Sequence, residues 1–475
     1  MRNQKTFAVL FLLFLGGFSE LFALESQVLD NGLEVFLEEN HLVPLVNIRI
    51  TLRAGAIVET PDLNGLCHLY EHMLFKGNAL YRNQREFKAA LKRLGVGRWN
   101  GGTSTEYVSY YITIPSEKVE EGLKFWAYAV KDPLLSPEEL IKEIDVVHNE
   151  IAGKQSEPEY LLRQARLLAL YPDYYFRRDT GGDLAIIDTA TREKMEHIRN
   201  NFYVPNNAAL FVAGDIDPDT VMDAVKTYYA DWPRGPEFPE LDPHKPLHKD
   251  IWVAVNNSPR KGLVSVSFTF RGPDTGIDSE STYGADVWAQ MANDPQGQFK
   301  NNLYKAVPEL HGATRHISAG YFTQRDAGTT TFSFTVTVPE EKGLWDIIKR
   351  LRAALVKETA RMLQDNYFSP QALAAAKTEL ENHDILSRET AAGYMSNLSF
   401  WWASTSTEYY LNYLANIQKV TRADVQAYLQ KYVHARYFLT SIWIHKDDDQ
   451  KHGIMQEAEK ANSQITTARG EVLNQ

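Results

Sequence analysis

Residues 232–248, WPRGPEFPELDPHKPLH, carry five prolines and almost no periodic pattern, so neither a helix nor a central strand can run through them. The chain of 475 residues is also longer than one hydrophobic core normally serves. A linker here leaves about 200 residues on either side, an ordinary domain size. The two sides echo one another. Thr191-Arg192-Glu193 leads through a helical pattern to Tyr203-Val204 and a β-forming run at 208–212; Thr421-Arg422-Ala423 leads likewise to Tyr432-Val433 and a run at 438–444. Ser136-Pro137-Glu138-Glu139-Leu140 is matched by Ser369-Pro370-Gln371-Ala372-Leu373. The echoes keep their order at offsets of roughly 230 residues, the signature of a duplicated unit. The expected layout is a first domain at 24–231, the linker at 232–248, a second domain at 249–447 and a loosely held polar tail at 448–475.

The N-terminus reads as a secretory signal over residues 1–23. Arg2 and Lys5 precede an apolar run at 7–15, Gly16 and Gly17 follow, and Ala23 suits cleavage. The run is too short to span a bilayer comfortably, and no later stretch approaches 18 uninterrupted apolar residues. The absence of a Cys at the signal's end argues against a lipoprotein. The expectation is a soluble, exported chain, periplasmic or secreted. A net charge of −11 without a dense basic run argues against a nucleic-acid partner. The single Cys67 allows no intramolecular disulfide.

Within the first half, Asp30-Asn31-Gly32 marks a hairpin turn, and residues 46–52 and 107–114 alternate as strands. Residues 63–75 and 84–94 have helical spacing, and Ser136 followed by Pro137 opens a helix that runs through Glu150. This mixture predicts an α+β fold.

The sharpest local pattern is His68-Leu69-Tyr70-Glu71-His72. Residues four apart share a helix face, so His68 and His72 can offer two imidazoles to one ion, with Glu71 on a neighbouring line. The order H-x-x-E-H inverts the common H-E-x-x-H zinc motif. A third ligand must come from elsewhere. Glu143 and Glu150 lie two turns apart on one helix face, so one carboxylate can bind the metal while the other supports a ligand. His148 falls on the wrong face and reads as structural, and Cys67 reads as a packed small residue. Residues 100–105 form a glycine-rich edge before a strand, which on its own reads as a simple Gly turn.

In these positions the sequence resembles the M16 family of metallopeptidases, which includes pitrilysin, insulin-degrading enzyme and the mitochondrial processing peptidase. The likeness covers nearly the whole chain after the signal. It is carried by Arg53-Ala54-Gly55-Ala56, by residues 65–77 (GLCHLYEHMLFKG), by Asn100-Gly101-Gly102-Thr103, by Gly181-Gly182 and by Val212-Ala213-Gly214-Asp215. The resemblance implies two duplicated M16-type α/β sandwich domains forming a clamshell, with one Zn²⁺ per chain. It implies His68, His72 and Glu150 as ligands, Glu143 as support for a ligand, and Glu71 as the general base for a zinc-activated water. It also implies that Asn100, Gly101, Gly102 and Thr103 receive substrate as an added strand. The function implied is a zinc endopeptidase acting on short or unfolded peptides in an enclosed chamber.

In the second half Val287, Gln290 and Met291 stand opposite His68, Glu71 and His72, and His383 opposite Glu150, so no second zinc site is expected there. Many family members carry a stretch like L-R-x-x-x-G-x-x-Y, whose Arg and Tyr orient substrate. That pair is not evident over residues 303–315. Lys305 or Arg315 could substitute, or a partner could supply the groups. The preferred expectation is a homodimer, or a heterodimer with a paralogous subunit lacking the zinc ligands. The competing readings are a non-catalytic scaffold or peptide-binding subunit, and a hydrolase of a non-peptide bond.

Overall fold

The computed structural model describes residues 24–172, 178–311 and 316–468. The expected signal peptide and Arg315 lie outside these residues. The first half runs β1 (Leu24–Val28), β2 (Glu34–Glu39), β3 (Leu45–Leu52), α1 (Leu66–Leu74), α2 (Gln84–Arg93), β4 (Arg98–Thr103), β5 (Val108–Pro115), α3 (Val119–Lys131), α4 (Pro137–Gln155), α5 (Tyr160–Leu170), α6 (Leu184–Ile187), α7 (Arg192–Phe202), β6 (Ala208–Gly214) and α8 (Pro218–Tyr229). The second half runs β7 (Ile251–Val255), β8 (Leu263–Arg271), α9 (Ser279–Asn293), α10 (Gln298–Ala306), β9 (Ile317–Phe322), β10 (Thr329–Thr337), α11 (Leu344–Arg361), α12 (Pro370–Ser387), α13 (Ala391–Ser404), α14 (Thr407–Leu411), α15 (Tyr413–Lys419), α16 (Arg422–Tyr432), β11 (Phe438–Trp443), α17 (Lys446–His452) and α18 (Ile454–Ala468).

The echoed residues are helix caps. Ser136 and Ser369 accept a backbone N–H at the start of α4 and α12, and Thr191 and Thr421 do the same for α7 and α16. Each cap satisfies a donor that the first turn cannot pair internally. The duplication extends to the sheets. The first has the order β1-β2-β6-β3-β5-β4 and the second β7-β11-β8-β10-β9, so every strand after β1 has a counterpart in the same place. In each sheet one pair is parallel, β2 with β6 and β7 with β11, and the remaining pairs are antiparallel. The chain therefore has two α+β units of one topology.

One face of each sheet carries that unit's own helices, forming two large apolar cores. The opposite faces are covered by exchange. Helix α13 of the second half lies on β3 and β6, where Leu398 and Trp402 pack with Phe36 and Phe211. Helix α5 of the first half lies on β7 and β11, where Leu170 and Tyr171 meet Leu439 and Ala327. The ends of the exchanged helices repeat one device. The guanidinium of Arg53, just past β3, sits 3.9 Å from the Trp402 ring centroid, and that of Arg271, at the end of β8, sits 3.7 Å from the Tyr171 ring centroid. Strands β3 and β8 are counterparts, so the two cation–π contacts are related by the duplication.

The segment after Asp447 differs from expectation. It forms α17 and α18, and α18 packs against β7 with Ile454 and Ala458 in the second core. Ile454, Ala458 and Ala461 make a helical stripe, but two of the three are alanine, too small to register as an apolar face in a polar sequence. No helix of the described residues is long and apolar enough to cross a membrane.

Candidate metal centre

The centre is assembled on α1, α4 and the end of β4. Gly65 begins α1 in a left-handed conformation at φ 93°, and it has to be glycine for a second reason: a Cβ there would lie 2.4 Å from the Cα of Gly182. Glu59, 3% exposed, caps this helix from outside its sequence. Its carboxylate accepts the Gly65 N–H at 2.9 Å, the Cys67 N–H at 2.8 Å and the Asn64 side-chain amide at 3.2 Å. The helix that carries the histidines is thus fixed at its first turn.

The structure brings His68, His72 and Glu150 together, with one ligand atom of each within 4.8 Å of the others. His68 Nε2 is 3.6 Å from Glu150 Oε1, and His72 Nε2 is 3.4 Å from Glu150 Oε2. Two ligands of a tetrahedral ion at about 2.1 Å stand about 3.4 Å apart, so this donor set fits a zinc-sized cation. His72 Nδ1–H donates to Glu143 at 3.0 Å, which orients the ring so that Nε2 faces Glu150. Glu143 is held in turn by Lys76 at 2.5 Å, and Glu150 by Lys154 at 2.5 Å. Burial, with His72 beside it, pushes the His68 imidazole down to about 4, keeping it neutral as a ligand must be.

Glu71 is 8% exposed and stands off the ligand set. Burial raises its carboxyl above the usual range, and a 2.8 Å hydrogen bond from Thr103 Oγ1 to its Oε2 orients it. Among the sequence candidates, Thr103 therefore touches Glu71. Strand β4 is the outer strand of its sheet, and among the described residues no strand pairs with its other edge. The two glycines on it differ. A Cβ on Gly101 would lie 2.7 Å from the Phe75 ring, so its smallness serves internal packing, whereas Gly102 faces open space. Asn100 lines a cavity of about 420 Å³ that begins at Glu71 and His72 and is walled by Phe75, Trp99 and Val146.

His148 points away from the ligands and pairs with Asp188 at 2.9 Å. Cys67 is fully buried in the first core, and burial pushes its thiol well up. The sequence reading missed Glu59, Lys76 and Lys154; Lys154, four residues after Glu150 on α4, is the one that helix spacing could have found. In the second half Val287 and Met291 are buried apolar residues of α9. A further grouping of metal-type donors, His244, Asp274 and Asp326, includes a His244–Asp326 contact of 2.6 Å, the spacing of a hydrogen bond, and ties residues 232–248 to loops of the second sheet.

Residues 34–182 match the family model Insulinase (Peptidase family M16), and residues 189–380 match the model Peptidase M16 inactive domain. An "Uncharacterized zinc protease" of Rickettsia felis is 24% identical over 366 residues, 77% of this chain and 84% of that protein. The mitochondrial-processing peptidase subunit beta of Blastocladiella emersonii is 23% identical over 323 residues, 67% of this chain and 65% of that protein. Among solved structures, a protease from Helicobacter pylori aligns with a TM-score of 0.74 at 18% identity, covering 89% of this chain and all, 100%, of that one. The periplasmic protease PqqL from Escherichia coli aligns with a TM-score of 0.72 at 18% identity, covering 92% of this chain and 50% of that one. Two α+β units of one topology, the matches to both family models and these relatives agree on one conclusion: the chain belongs to peptidase family M16.

Proposed function

We propose that the chain is a zinc-dependent endopeptidase of short or unfolded peptides, with one zinc per chain held by His68, His72 and Glu150. The observation that carries this reading is the convergence of those three donors beside Glu71, a buried carboxylate outside the ligand set. When bound, zinc supplies a Lewis acid that acidifies water and polarises a carbonyl. Glu71, buried beside the donors and outside their set, suits the general base: it takes a proton from the attacking water and returns it to the leaving amine. Thr103 keeps its Oε2 aimed during both transfers. Glu143 fixes the tautomer and orientation of His72.

The open edge of β4 offers backbone donors and acceptors to an extended peptide, an interaction made largely without reading side chains. Such an edge accepts unfolded chains and excludes segments already paired in a folded protein. The cavity beside Glu71 is lined by first-half residues alone, which supports a dimer, with a second copy or a paralogous subunit closing over the site and supplying substrate-orienting groups. The relative named as a processing-peptidase subunit agrees with that reading, and the periplasmic neighbour agrees with export. The family model named for an inactive domain supports the second reading, a partner-dependent or non-catalytic peptide-binding subunit.

Hydrolysis of an unstructured peptide by the purified chain, followed through chelation and zinc readdition, tests the proposal. Activity that disappears with the chelator and returns with about one equivalent of zinc supports it. A chain that binds no zinc at neutral pH contradicts it, and activity that needs an added paralogue selects the partner-dependent form.

A further inference from the structure

The second half has a concavity of its own, built partly on the counterparts of the helices that carry the first-half donors. In the first half the donors come from α1 and α4 beside the end of β4. In the second half the counterparts α9 and α12, with the end of β9, enclose a cavity of about 380 Å³ that α13 and the start of α15 complete. This is within the roughly 300–1,000 Å³ of side-chain and small-ligand pockets. His383 stands in it at the step of α12 where α4 has Glu150, and Asp286 lines it one residue before Val287, the counterpart of His68.

The contents of this cavity have changed character. Asp384 is ion-paired to Arg388 at 2.7 Å. Asp286 has no such partner among the described residues: Tyr413 donates a hydrogen bond to it at 2.8 Å, and no cation acts on its carboxyl. The rings of Tyr321, Phe400, Trp401 and Tyr413 share the wall with it. An uncompensated carboxyl among aromatic rings disfavours an anion, and an apolar ligand would enclose the carboxyl without a partner. An organic cation satisfies both components, by charge at the carboxylate and by the negative faces of the rings.

We propose that this second-half cavity is a subsite for a basic side chain, Lys or Arg, of a bound peptide, with Asp286 as the charge partner and the aromatic rings as its cage. That the ligand is a peptide rests on the peptidase reading; the preference for a cation rests on the cavity. Burial pushes the Asp286 carboxyl up to about 7, so a neighbouring cation readily holds it ionised.

The test uses the full chain carrying Glu71→Gln, so that binding is read without turnover. The probes are the peptide acetyl-Ala-Ala-Lys-Ala-Ala-amide and its twin with norleucine in place of lysine. The lysine peptide is expected to bind at least about tenfold tighter. Adding Asp286→Asn should remove that preference while leaving the norleucine affinity and the melting temperature unchanged, and Trp401→Leu should reduce it in part. Equal affinity for the two peptides, or a preference that survives Asp286→Asn, overturns the proposal. Cleavage by the wild-type chain is scored separately. Preference without cleavage, by the chain alone and with an added paralogue, sinks the peptidase reading and keeps the subsite, and cleavage without preference does the reverse.

Discussion

His72 is held from both sides, by Glu143 at Nδ1 and toward Glu150 at Nε2, and this double hold separates binding a metal from binding it well. Replacing Glu143 with Ala frees the imidazole to turn and leaves Lys76 without its carboxylate. Zinc affinity is expected to fall roughly 10–100-fold, measured by competition with a chromogenic chelator, while Glu143→Gln, which keeps an acceptor oxygen, loses less. A Glu143→Ala chain with unchanged affinity would remove Glu143 from the centre. At this scale the sequence was informative about His68, Glu71 and His72, because a five-residue helical motif carries its own geometry. The pair Glu143 and Glu150 was legible as one helix face, but spacing alone did not say which oxygen meets the imidazoles. Thr103 was legible as part of a glycine-rich edge, and its bond to Glu71 was not, because 32 residues of chain separate them and only the sheet brings them together.

At the scale of elements, α1 depends on a carboxylate that is not part of it. Glu59 occupies the place of an N-cap side chain, since the N-cap residue itself is Gly65 and offers none. Glu59→Ala leaves two buried N–H groups unpaired, and is expected to cost about 1–3 kcal/mol in urea unfolding of the metal-free chain, with Glu59→Gln milder. An Ala variant as stable as the parent would show that water replaces the cap. Local signals found most of the elements near the centre: Ser136-Pro137 for α4, alternation for β3 and β5, helical spacing for α1 and α2. They failed at α18, whose buried stripe is mostly alanine, and at β4, whose Arg-Trp-Asn-Gly-Gly-Thr has little β-forming character and is a strand because β5 pairs with it along its length. In both, tertiary packing decides what propensity leaves open.

At the scale of the whole molecule, the exchanged helices α5 and α13 tie the halves together: the second face of each sheet is covered by a helix of the other half. Duplicate caps and strand runs were readable in sequence, but the exchange was not, because a helix that covers a neighbour's sheet has the same apolar stripe as one that covers its own. Where the halves meet, Glu106 accepts the Arg325 N–H at 3.2 Å, and burial raises its carboxyl from 4.5 to about 7. The folded chain therefore holds this proton over a range in which the unfolded chain has lost it, so this contribution to stability is full below about pH 4.5 and declines as pH rises through 7. Glu106→Gln should flatten that part of the pH dependence, seen as a gain in urea midpoint over the parent that is larger at pH 8 than at pH 5; an equal gain at both would contradict it. Glu71 is the buried carboxylate beside the three candidate metal donors. Glu71→Gln keeps the shape and the Thr103 contact but cannot accept a proton, so the most direct measurement is zinc content and peptide hydrolysis on the same preparation of this variant and its parent. The prediction is unchanged zinc content with hydrolysis lowered by about 10²–10⁴-fold, and hydrolysis equal to the parent at equal zinc content would contradict the account.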